Sequence, residues 1–154
     1  MDFNRSITTK SPKETKDLGE ELGHYLSQKH TVQSTQRRGE RGVTAICLYG
    51  ELGSGKTTFV QGIAKGLGIE SRLLSPTFII VRRYKLHQLF GFLFHLDLYR
   101  VDTQEQLAEL GLTEILTDPR SVVVIEWAEK LGEWMPKKRL DIKFSVFPDG
   151  NHEI

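Results

Sequence analysis

The run Gly50-Glu51-Leu52-Gly53-Ser54-Gly55-Lys56-Thr57 constrains this chain more than any other. It fits G-x-x-x-x-G-K-[ST], a loop whose backbone N–H groups cradle phosphates. Glycines let the N–H groups turn inward without Cβ clashes. The loop then hands the anion to a helix N-terminus, where unpaired N–H groups and the helix dipole favour negative charge. The flanks agree. Val43 to Tyr49 is short and apolar and reads as a buried strand; Thr58 to Leu67 reads as a helix stopped by glycine. Within this pattern Glu51, Leu52, Gly53, Ser54, Gly55, Lys56, Thr57 and Thr58 are the expected nucleotide-binding residues. Lys56 supplies a mobile charge at the β- and γ-phosphates, and the Thr57 hydroxyl is the expected Mg²⁺ ligand.

The rest of the chain reads as one α/β domain, with residues 1–10 as a flexible tail and 11–154 as the phosphate-binding domain. A length of 154 residues suits a single sheet with covering helices. Ser11-Pro12-Lys13-Glu14 is a helix start: Ser as N-cap, Pro in first position, Glu three residues after the cap. Leu18, Leu22, Tyr25 and Leu26 then recur at helical spacing. Gln28 to Arg41 is polar and reads as an exposed, basic loop. The stretches from Ile79 to Lys85 and from Phe92 to Tyr99 read as a hairpin or adjacent strands. Thr103 to Leu110 is helical with Gly111 as its stop, and Val122 to Ile125 is a second buried strand. Leu131 to Lys138 is a connector around Pro136. Leu140 to Val146 alternates and reads as an edge strand, with the chain ending where a last strand would begin. The expected architecture is a mainly parallel sheet flanked by helices, with one antiparallel hairpin.

Catalysis on a bound triphosphate needs an acid besides the loop. In open α/β sheets, ligands bind at the carboxyl ends of strands. Glu126 closes the run Val122-Val123-Val124-Ile125 and so is expected beside the loop. Asp97, set between Leu96 and Leu98, is a poor place for an unpartnered charge, and is expected to serve the metal shell or orient water. Thr57, Glu126 and Asp97 form the expected metal set, and Glu126, Asp97 and Lys56 the expected catalytic set. Thr77, in Ser75-Pro76-Thr77, is positioned to reach the metal or γ-phosphate as a switch threonine does. His95 should share a strand face with Asp97 and reads as an ordinary hydrogen-bonded histidine. By spacing alone, Trp127 reads as packing.

Composition narrows the classes. With 21 Lys+Arg against 20 Asp+Glu and a net charge of +1, no global field draws the chain to nucleic acid or membrane. The histidines lack zinc spacing. The single cysteine, Cys47, reads as a buried thiol. The absence of a long apolar run or signal core gives a cytoplasmic expectation, with no membrane or DNA partner. No guanine-reading Asn-Lys-x-Asp is present, so adenine is the default base. No arginine-rich lid is visible, so hydrolysis by the chain alone is expected on the order of 10⁻³ s⁻¹ or slower. A small-molecule kinase and a non-hydrolysing, nucleotide-gated binding module remain the alternatives.

Taken in order, Gly-Glu-Leu-Gly-Ser-Gly-Lys-Thr-Thr at 50–58, Ser-Pro-Thr-Phe at 75–78, His-Leu-Asp-Leu-Tyr-Arg at 95–100, Glu-Leu-Gly-Leu at 109–112 and Ile-Glu-Trp-Ala-Glu at 125–129 resemble the TsaE (YjeE) family. The resemblance runs from about Ser11 to about Val146. It implies a P-loop ATPase of tRNA threonylcarbamoyladenosine (t6A) synthesis, using ATP and Mg²⁺ with the TsaB and TsaD proteins. That assembly modifies adenosine 37 of tRNAs that read codons beginning with A. By position, the resemblance places Lys56 on phosphate, Thr57 on Mg²⁺, Asp97 and Glu126 at the acidic positions, Trp127 at the tryptophan after the acid, and Thr15 near the base. Departures from the family pattern are Ala128, where proline is frequent, and the longer segment 28–41.

Overall fold

Among the described residues five strands make the central sheet, in the order β3-β4-β5-β2-β6, and every pairing there except β3 with β4 is parallel. The computed structural model describes residues 5–33, 44–70, 73, 79–87 and 91–154. Along the chain come β1 (Thr8–Thr9), α1 (Pro12–Gln33), β2 (Thr44–Tyr49), α2 (Lys56–Gly66), β3 (Val81–Leu86), β4 (Gly91–Asp97), α3 (Gln104–Ala108) and α4 (Leu112–Thr117). Then follow β5 (Val122–Glu126), a 3₁₀ segment (Ala128–Trp134), β6 (Arg139–Lys143), β7 (Ser145–Val146) and β8 (His152–Glu153). This is the expected α/β domain: a mainly parallel sheet, an antiparallel β3–β4 pair, and β6 at an edge.

Strand alternation splits the core in two. Ile46, Leu48, Leu93, Val122 and Val124 face α1 and α2, meeting Leu22, Leu26, Phe59, Val60 and Ile63. Cys47, Leu96, Val123 and Ile125 face the other way, onto Leu107, Leu112, Ile115 and Leu131 from α3, α4 and the 3₁₀ segment. Both faces of β5 are buried, which explains its unbroken apolar run.

Helices α1 and α2 touch backbone to backbone. Gly19 and Gly23 of α1 lie against Gly62 and Gly66 of α2. A Cβ on Gly62 would collide with the Lys16 carbonyl oxygen and stand 2.8 Å from Glu20 N and 3.0 Å from Gly19 Cα. Glycine at i and i+4 on both helices removes side chains from one stripe of each. The contact fixes α2, and with it the phosphate loop that opens it.

Several local expectations change. Helix α1 begins as expected: Ser11 Oγ accepts from Glu14 N at 3.2 Å, and Glu14 Oε2 accepts from Lys10 N at 2.8 Å. It continues to Gln33, so residues 28–33 are helical rather than loop. The segment has lost its apolar stripe but contains no Gly or Pro to break the backbone ladder. Arg37, Arg38 and Arg41 lie outside the described residues. The expected tail at 1–10 is structured in its last part. Ile7 exchanges backbone hydrogen bonds with Ile154 (2.8 and 2.9 Å), and β1 pairs with β8 in a small antiparallel sheet ordered β1-β8-β7. Its partner comes from the far end of the chain, where no local pattern reveals it. Gly111 starts α4 in a left-handed conformation (φ 67°) as well as ending the region of α3.

Candidate active site

Three sheet-end elements converge. β2 ends in the phosphate loop, and the central order places β5 next to β2 and β4 next to β5. The register pairs Asp97 of β4 with Glu126 of β5, so both acids sit at the carboxyl edge beside the loop. The loop glycines Gly50, Gly53 and Gly55 all have positive φ (138°, 78° and 96°), and Gly55 immediately precedes α2 in a left-handed conformation. A cavity of about 250 Å³ results, lined by Leu52 to Thr58 with Asp97, Tyr99, Glu126 and Trp127.

Its cation is buried. Lys56 Nζ donates to Gly50 O at 2.6 Å, to Glu51 O at 2.8 Å and to Ser54 Oγ at 3.3 Å. It also lies 4.4 Å from the centre of the Trp127 ring. Burial lowers the Lys56 pKa, against the opposing pull of Glu126, Glu129, Asp97 and Glu51. An ammonium so desolvated gains from a polyanion more than one in open water does.

A hydrogen-bonded chain ties loop to strand. Thr57 Oγ1 donates to the Glu126 carboxylate, 3.0 and 2.9 Å from its two oxygens. His95 Nε2 lies 2.8 Å from Glu126 Oε1. A carboxylate only accepts, so Nε2 carries the proton. Nδ1 of His95 is buried and has no partner among the described residues. Because the Thr57 hydroxyl spends its proton on Glu126, its oxygen keeps lone pairs that a metal could use. Asp97 is buried, and its Oδ1 accepts from Tyr99 N at 3.0 Å. Among the described residues no three His, Cys, Asp or Glu are grouped to hold a metal by themselves. Mg²⁺ keeps several waters and takes few protein ligands alongside phosphates, so Thr57 with one or two carboxylates is a donor set of the kind it uses.

Most of the expected site is therefore brought together: Leu52, Gly53, Ser54, Gly55, Lys56, Thr57, Thr58, Asp97 and Glu126 line one cavity. Glu51 contributes its carbonyl from beneath. Thr15 is not among the lining residues. It is buried behind the loop, its hydroxyl 2.7 Å from that of Thr9. Thr77 lies outside the described residues. Spacing alone missed two aromatic residues. Trp127 has a left-handed backbone (φ 58°), and its ring sits 5.1 Å from that of Tyr99 at the cavity mouth. The available signal was adjacency, since each directly follows or nearly follows a site acid.

The family described as Threonylcarbamoyl adenosine biosynthesis protein TsaE matches residues 9–153. The chain belongs to the TsaE family. Its TsaE relatives include the tRNA threonylcarbamoyladenosine biosynthesis protein TsaE of Treponema pallidum, 38% identical over 111 residues (72% of this chain, 79% of the relative). The protein of the same name from Borreliella burgdorferi is 42% identical over 104 residues (67% and 74%). The Haemophilus influenzae TsaE is 28% identical over 149 residues, or 96% and 87% of the two chains. Among solved structures, Bacillus subtilis YdiB superposes with a TM-score of 0.71 at 30% identity, covering 97% of this chain and 81% of that one. Membership carries the P-loop NTPase fold, nucleotide binding and a role in t6A biosynthesis. Among the described residues no helix is long and apolar enough to cross a membrane.

Proposed function

We propose that this protein binds Mg-ATP in the 250 Å³ cavity and hydrolyses it to support a cytoplasmic TsaB–TsaD assembly that makes t6A on tRNA. The observation that carries this reading is the Thr57–Glu126 contact, which joins the phosphate loop to the strand acid. Lys56 takes the β- and γ-phosphate oxygens, with loop N–H groups around them. Thr57 holds Mg²⁺, which when bound neutralises charge on the phosphate oxygens. Both oxygens of Glu126 are engaged by Thr57 and one also by His95, so Glu126 holds the Thr57 oxygen and the metal's water shell. Asp97, at the neighbouring strand end, orients the attacking water. Tyr99 and Trp127 shape the mouth and shield the Lys56 ammonium from bulk water.

Among the described residues no arginine lines the cavity, which fits slow hydrolysis by the isolated chain and acceleration when a partner completes the site. tRNA enters through the assembled complex. The test is ATP hydrolysis by the protein alone and with purified TsaB and TsaD, with Lys56→Ala as control. Stimulation by the partners, lost in the control, is expected. Turnover that ignores the partners and appears only with an added small metabolite would replace this reading with a kinase.

A further inference from the structure

The outer face of the phosphate loop rests on the small sheet formed by the two ends of the chain. His152, in β8, places Nδ1 2.8 Å from the Ser54 carbonyl oxygen. A carbonyl only accepts, so Nδ1 is protonated and donates. The Ser54–Gly55 peptide is trans, which points its C=O and its N–H in opposite directions. With the carbonyl drawn outward to His152, the Gly55 N–H is turned toward the cavity that Ser54 and Gly55 line.

This peptide needs such a clamp. Gly53 and Gly55, on either side of Ser54, have positive φ (78° and 96°), and glycine crosses between φ basins with little steric resistance. A flip of this one peptide would aim a carbonyl dipole at the anion site in place of an N–H. The clamp is itself held. His152 pairs with Thr9 of β1 on one side and with Val146 of β7 on the other. The Thr9 hydroxyl meets that of Thr15, whose methyl group lies 3.5 Å from where a Gly55 Cβ would stand. A Cβ on Gly55 would also stand 3.0 Å from His152 Nδ1, so the loop is fitted against the imidazole.

We propose that His152 is a positioning residue of the phosphate site: its Nδ1–H sets the Ser54–Gly55 peptide plane and so aims the Gly55 N–H at phosphate. The strands β1 and β8 thereby become part of the nucleotide-binding machinery although neither is among the residues lining the cavity. The inference rests on reading the cavity as a phosphate site, and the test separates the two.

Full-length wild type, H152A, H152N and H152Q are titrated calorimetrically with inorganic tripolyphosphate and Mg²⁺, and each is melted without ligand. Asparagine carries an amide nitrogen at about the distance of Nδ1 from the backbone, whereas glutamine displaces it by one methylene. H152A and H152Q are expected to bind about fivefold more weakly, the loss typical of one hydrogen bond, and H152N within about twofold of wild type. An H152A protein that binds like wild type overturns the proposal, and so does H152N as weak as H152Q. If H152A fails to fold, the H152N–H152Q difference decides. Wild type that fails to bind tripolyphosphate overturns the phosphate reading itself, and this inference with it.

Discussion

Replacing Gly62 with alanine sets two known effects against each other. In an exposed helix interior, Gly→Ala stabilises by up to about 1 kcal/mol, because alanine gives up less backbone entropy. Gly62 is in the middle of α2 and faces α1, where its Cβ would collide with Lys16 O and lie 2.8 Å from Glu20 N. Ordinary contact begins near 3.4 Å, so the helices must part by at least 0.6 Å (3.4 − 2.8) at this point. The obstructing atoms are backbone, so no side chain can rotate away. A gap of that size forfeits roughly a quarter to a half of each dispersion contact across the interface. The pairs affected include Leu22 and Leu26 of α1 against Phe59 and Ile63 of α2. Overpacking of this kind costs about 3 kcal/mol, the upper part of the usual range. Set against the propensity gain, the net loss is about 2 kcal/mol. For a domain of this size that corresponds to a fall of about 4–8 °C in melting temperature. Urea unfolding followed by far-UV circular dichroism reads the same difference as a lower midpoint at unchanged slope. A Gly62→Ala protein equal to or more stable than wild type would refute the backbone-to-backbone account of the α1–α2 contact.

Three further outcomes are expected. Asp97→Ala and Glu126→Ala should each retain nucleotide binding and lose turnover in the assembled system; wild-type hydrolysis by either mutant removes that acid from the proposed chemistry. His95→Ala takes a donor from the buried Glu126 carboxylate and opens a cavity, with an expected loss of about 3 kcal/mol in urea unfolding. His95→Gln, which can present a nitrogen near the Nε2 position, should recover more than half of that loss, and equal losses in the two variants would assign the effect to packing alone. Burial, then the nearby Asp141 charge, pushes the Cys47 thiol up to about 11. At pH 8 only about one native thiol in a thousand is then ionised, so a thiol reagent should label native protein at least a hundredfold more slowly than unfolded protein. The sign for stability follows: the unfolded thiol ionises near 9 and the native one near 11, so this group lowers stability as pH rises between those values. Rapid native labelling at pH 8 would contradict the burial of Cys47.

The sequence by itself determined the parts whose causes are local. The phosphate loop needs glycines at fixed spacing, a strand before and a helix after, and all of these are contiguous. The doubly buried β5 shows as an unbroken apolar run, and its terminal acid Glu126 is marked by ending that run. Asp97 was legible as a charge in an apolar strand, and the start of α1 as a cap followed by Pro and Glu. Tertiary structure alone decided the rest, because each remaining feature joins residues distant along the chain. Sheet order, which no local pattern encodes, set Asp97 beside Glu126. It gave His95 a carboxylate partner and brought the Trp127 ring over Lys56. Residues 7–9 look like a loose tail until Ile154 and His152 supply their hydrogen bonds. Thr15 is set with its hydroxyl on Thr9 and its methyl group beside Gly55, a placement that depends on how α1 packs against α2 and that no local pattern shows. Short-range steric and hydrogen-bonding rules write the loop into the sequence. The distance between the loop and its acids is set by strand pairing and helix packing, which appear only when the chain is folded.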